Sequence, residues 1–154
     1  MKVRLIVFTL VFLFTIVGVC FADSPHMGTW KLNEAKSKIG KGAPKNTTVV
    51  YEAVGDQIKV TVDGVDGAGA PAHNEWTGKF DNKDYPATGD PTIDTRSYRK
   101  VNTRTLWLTN KKGGKVTTSG SITVSADGRH RTVTTKGKDA KGKMVTTVAV
   151  YDKQ

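Results

Sequence analysis

Residues 93–151 alternate short β-forming runs with turn residues and show no helical period, which confines this part of the chain to antiparallel strands. Val101-Asn102-Thr103, Asn110 to Gly114, Ala126-Asp127-Gly128 and Gly137 to Gly142 supply residues that tolerate positive φ or bond their own backbone, as tight hairpins require. Between two of these turns Val116, Thr118, Gly120, Ile122 and Val124 alternate with Thr117, Ser119, Ser121, Thr123 and Ser125. That period of two marks a sheet with one buried face. Five consecutive strands joined by short turns make a meander.

The earlier half of the chain continues the pattern. Trp30 and Leu32 share a strand face in residues 28–32, Val49 and Tyr51 in 47–53, and Ile58, Val60 and Val62 in 57–63, with Gly55-Asp56 as the turn between the last two. Residues 72–80 place Trp76 and Phe80 on one face. Residues 34–45 are lysine-rich with a single large apolar residue, Ile39, and read as a loop with one helical turn over 34–38. Residues 81–91 read as a double turn rich in Asp, Asn, Pro and Gly, the kind of long connection that carries binding residues. The expectation is an all-β, antiparallel up-and-down meander of about 8–10 strands, a closed barrel or alternatively a β-sandwich.

The first residues have a different logic. Lys2 and Arg4 precede an apolar run from Leu5 to Val19, and Ala22 is followed by polar Asp23 and Ser24. This is the layout of a signal peptide over residues 1–22, cleaved after Ala22 to leave one domain at 23–154 in the periplasm or outside the cell, with no transmembrane span in the mature protein. Acylation of Cys20 is the alternative, and it anchors a lipoprotein. Cys20 is the only cysteine, so the mature domain has no disulfide, no thiol nucleophile and no zinc-thiolate site.

Charge is distributed unevenly. The 24 Lys and Arg, less Lys2 and Arg4, leave 22 basic residues against 14 acidic ones. Residues 23–90 carry 8 basic and 10 acidic residues, whereas 91–154 carry 14 and 4. A basic second half suits an anionic envelope component such as a polymer or lipid head groups, with Arg129, Arg131, Lys136 and Lys138 as the surface, although loop lysines also serve plain solubility. No sequence-specific nucleic-acid motif accompanies it.

Catalysis finds little support. His26, His73 and His130 have no metal-ligand spacing, the aspartates of Asp63 to Gly67 lack the ligand set of a calcium loop, and no nucleophile elbow, P-loop or dinucleotide fingerprint occurs. A non-enzymatic binding module without cofactor or metal is expected. Its ligand is a small apolar or amphipathic molecule, and the residues available to meet it are Trp76, Phe80, Tyr85, Asp94, Arg96 and Tyr98. Strict alternation puts Asp94, Arg96 and Tyr98 on one strand face and Ile93 and Val101 on the other. If the first face is inward, Arg96 needs Asp94, a tyrosine hydroxyl or a ligand anion; if the second is inward, Arg96 is a surface residue.

Gly28-Thr29-Trp30-Lys31-Leu32, opening a β domain of this size, resembles the G-x-W first strand of calycins, the lipocalin and fatty-acid-binding-protein group. The mature chain also resembles a group of small exported bacterial proteins through residues 28–38, Glu75-Trp76-Thr77, Lys83-Asp84-Tyr85-Pro86 and Val148-Ala149-Val150-Tyr151. The resemblance implies a ligand-holding barrel with Trp30 packed across one end. Two features depart from it: Ala149-Val150-Tyr151 stands where fatty-acid-binding proteins have an R-x-Y carboxylate clamp, and no arginine follows Arg131 to serve as the lipocalin arginine that stacks on the tryptophan.

Overall fold

A computed structural model describes residues 24–139 and 141–154. The expected signal segment, its cleavage after Ala22 and acylation of Cys20 lie outside the described residues. The strands are β1 (Gly28–Leu32), β2 (Lys45–Val54), β3 (Gln57–Val65), β4 (Pro71–Gly78), β5 (Tyr85–Thr88), β6 (Thr95–Asn102), β7 (Thr105–Lys112), β8 (Lys115–Val124), β9 (His130–Lys138) and β10 (Met144–Lys153). Each pairs antiparallel with its neighbour in sequence, and β1 pairs with β10, closing a ten-stranded up-and-down barrel. Closure rules out the sandwich and removes the exposed sheet edges that an open meander would leave.

Local chemistry explains most of this. Lys112 pairs with Lys115 across Gly113 and Gly114, which take φ of 54° and 75°, the two left-handed residues of a type I′ turn. At Gly120 a Cβ would lie 2.0 Å from the carbonyl oxygen of Thr134, so only glycine lets β8 and β9 approach as they do. Residues 34–36 form a single 3-10 turn capped by Asn33, close to the expected helical turn.

One expectation fails. Tyr85–Thr88, within the expected double turn, is strand β5. Four residues carry too little periodicity to be seen in sequence, and what holds them extended is pairing on both sides, Trp76 with Ala87 and Tyr85 with Arg96.

The inner face is unevenly filled. At the rim where β1 and β3 begin, Trp30, Tyr51, Trp76, Tyr98 and Tyr151 are all buried. Trp30 donates its indole N–H to the carbonyl of His26 at 2.9 Å, which folds the segment before β1 over this end. Toward the other rim the inward residues turn smaller and more polar, with Asn74, Arg96, Ala87 and Ala149 among them. Among the described residues no helix is long and apolar enough to cross a membrane.

Candidate functional site in the barrel interior

Period two on β4 sends Asn74 and Trp76 inward, on β6 Arg96 and Tyr98, and on β7 Leu106 and Leu108. Arg96 is opposite Asn110 in the β6–β7 register, and short β5 brings β4 near enough for a third strand to take part. Nε of Arg96 donates to Oδ1 of Asn110 at 2.9 Å, and Nη2 donates to Oδ1 of Asn74 at 3.3 Å. The arginine is 6% exposed. Both acceptors are neutral amides.

Asp94 is not its partner. The regular strand begins at Thr95, and Asp94 belongs to the turn before it, so the alternation that would carry Asp94 inward stops short. Its carboxylate is exposed at the rim and accepts from Nζ of Lys112 and from the backbone N–H of Gly113, each at 2.7 Å. These contacts lower its pKa. No carboxylate lies within ion-pair distance of Arg96 among the described residues, and the buried polar side chains are His26, Asn74, Arg96, Ser97 and Arg131. The interior phenols do not balance the charge either. Burial raises the pKa of Tyr51 and of Tyr151, so both hydroxyls stay protonated. Desolvating a guanidinium costs several kcal/mol, and neutral acceptors return only part of it.

The aromatic candidates gather around Trp76. The ring of Trp76 lies 4.7 Å from that of Tyr98 and 5.8 Å from that of Tyr85, both edge to face, and stacks at 6.5 Å on Phe80. Trp76 donates its indole N–H to the backbone carbonyl of Arg96 at 2.8 Å, tying the aromatic cluster to the strand that bears the charge. Trp76 and Tyr98 are buried, Phe80 and Tyr85 half-buried. The hydroxyl of Tyr85 donates outward to Asp81 at 2.9 Å. The four aromatic residues expected from sequence therefore form one cluster, joined to Arg96 through its backbone carbonyl, and Asp94 stands apart from both.

Arg131 also departs from expectation. It is 2% exposed and cannot belong to a basic surface with Arg129, Lys136 and Lys138, which are exposed. Its guanidinium carbon lies 5.1 Å from the ring of Trp30, 5.1 Å from that of Tyr51 and 4.7 Å from that of Tyr151. Cation–π attraction suits such a desolvated cage. Although no arginine follows it in sequence, Arg131 itself stacks on the tryptophan of the first strand.

Asn74 and Asn110 are not among the site residues expected from sequence, although alternation places Asn74 on the face of Trp76. Each lies two positions from an inward apolar residue, Trp76 and Leu108, and that spacing was the available signal. Among the described residues no group of three or more His, Cys, Asp or Glu stands close enough to hold a metal ion.

Neither a family model nor a curated protein matches the chain. The class rests on the fold: a closed ten-stranded antiparallel β-barrel, compatible with a calycin-like architecture.

Proposed function

We propose that the protein is an exported, non-enzymatic, calycin-like binding module whose barrel interior holds a small amphipathic ligand, with an anionic group at Arg96 and an apolar body against Trp76, Phe80 and Tyr98. The observation that carries this reading is the burial of Arg96 on two amide oxygens with no carboxylate partner. A charge retained at such cost is explained by an anion that completes it.

The test pairs native mass spectrometry of protein purified from its own envelope with titration of a medium-chain carboxylate such as decanoate. A co-purifying acidic amphiphile is the expected result. Arg96→Met keeps most of the stem volume and removes the charge, so it should leave stability equal or higher while weakening decanoate by about 2 kcal/mol or more. Unchanged affinity in Arg96→Met overturns the reading. Affinity that collapses between ~50 and ~200 mM salt favours instead a polyanion on the exposed Arg129, Lys136 and Lys138.

A further inference from the structure

At the aromatic rim, on the side of the barrel core away from Asn74 and Asn110, lies a cavity of about 280 Å³. Its apolar wall is Ile58, Phe80 and Leu106; Ser24, His26, Lys79, Asp81, Lys100 and Thr103 complete the lining. An apolar cavity of about 150 Å³ suffices for a benzene ring, so this one accepts a single ring with a substituent and not a long chain.

His26 makes the cavity more than a packing gap. It is 1% exposed, and neither Nδ1 nor Nε2 has a hydrogen-bond partner. Its ring is held edge-on against Phe80, with centroids 6.3 Å apart. A buried imidazole that makes no hydrogen bond forfeits about 1–3 kcal/mol, and most such groups in proteins are satisfied. Burial, reinforced by the charges of Arg131, Lys100 and Lys153, lowers its pKa to about 4, so at neutral pH the ring is uncharged and offers one N–H and one acceptor nitrogen.

The remaining lining decides the ligand's charge. Lys79 and Lys100 face the cavity together with Asp81, so neither an anion nor a cation finds a rim of purely opposite sign. Lys79 is already committed to Asp56, and Asp81 accepts from the hydroxyl of Tyr85.

We propose that this cavity is a second binding site, for a neutral single-ring molecule bearing a hydroxyl or amide, whose ring lies on Ile58, Phe80 and Leu106 while its polar group takes up the hydrogen bond that the imidazole of His26 lacks. Both nitrogens are shielded from water, so binding requires a turn of the imidazole toward the ligand. The hydrogen bond is then gained without first displacing water from the ring. The site shares Phe80 with the interior one, but its polar contact is His26 and it does not depend on the charge of Arg96.

The probes are p-cresol, toluene and benzoate, followed by calorimetry and by the imidazole resonances of His26 in purified protein. All three rings fit the volume, and only p-cresol is neutral with a hydroxyl. We expect p-cresol to bind roughly five- to tenfold more tightly than toluene, the effect of one added hydrogen bond, and to shift the His26 resonances, which toluene leaves in place. His26→Phe should bring p-cresol down to the affinity of toluene. Leu106→Trp fills the cavity from another wall and should abolish binding of both, which keeps the test open should His26→Phe fail to fold. Arg96→Met should leave p-cresol binding intact. Equal affinities for p-cresol and toluene, tighter binding of benzoate than of p-cresol, no binding of any probe, or loss of p-cresol in Arg96→Met would each overturn the proposal.

Discussion

Two buried side chains at the aromatic rim set the demands on single residues. Trp30 is fully buried, holds the His26 carbonyl and lies under the guanidinium of Arg131, so it is at once core, latch and cage wall. Trp30→Ala removes all three contacts and should cost about 3–5 kcal/mol in urea unfolding; a loss below ~1 kcal/mol would contradict that role. His26 couples the same rim to pH. Its proton is bound near the ordinary value of 6.5 in the unfolded chain and only near 4 in the folded one. The stability it contributes is complete above pH ~6.5 and is lost as pH falls toward ~4, a drop of about 3 kcal/mol. His73 works the other way, since its hydrogen bond to Asp63 raises its pKa, but it lies at the exposed surface where solvent screens the pair. Unfolding free energies between pH 6.5 and 4 check this. The slope should flatten in His26→Phe, and a slope equal to that of the unmodified protein would mean that His26 is hydrated.

Among the elements β5 is the weak seam. It joins β4 through Glu75–Thr88 and Trp76–Ala87, and β6 through Tyr85–Arg96 and Pro86–Thr95, whereas β9 and β10 are paired continuously from Lys138–Met144 to His130–Asp152. Pro86 has no N–H to donate, and Ala87 donates to Asp94, outside the regular ladder. Local opening is easiest where few backbone bonds and few buried contacts must break. Amide exchange should therefore be at least about tenfold faster at Tyr85, Ala87 and Thr88 than in the middle of β8 and β9, equivalent to an opening easier by about 1.4 kcal/mol. Equal protection would show that the aromatic packing of Tyr85 on Trp76 compensates for the missing ladder.

For the whole molecule the decisive contact is the closing pair. Trp30, Lys31 and Leu32 of β1 meet Lys153, Asp152 and Tyr151 of β10, and the chain beyond β1 stays with β10 through Asn33 to Val150 and Lys38 to Val148. Removing residues 151–154 deletes the matched part of this seam, takes Tyr151 from the core and uncovers one side of Arg131. The truncated chain should lose its near-ultraviolet circular dichroism and its cooperative urea transition. A retained sharp transition would mean that the remaining strands close without the β1–β10 pair.

Every strand except β5, the hairpin turns between them and the burial of Trp30 were legible in the sequence, because period-two alternation and turn chemistry act within a few residues of the chain. Trp107, 39% accessible between inward Leu106 and Leu108, obeys the same alternation. Short β5 was not legible, since partners on either side, and not its own residues, keep it extended. Nor could a local window tell that Arg131 faces three aromatic rings from three other strands, because its exposed neighbours Arg129 and Lys136 suggest a basic surface. The arrangement at Arg96 was settled at longer range still. Alternation left both faces of its strand open and suggested Asp94 as partner; the start of the regular strand at Thr95 and the register across β4, β5, β6 and β7 supplied Asn74 and Asn110 instead. The sequence alone determined which residues alternate and where the chain turns, for these depend on neighbours a few bonds away. Which charge meets which acceptor inside the barrel was decided only by tertiary structure, because it depends on strand register and closure between segments distant in the chain.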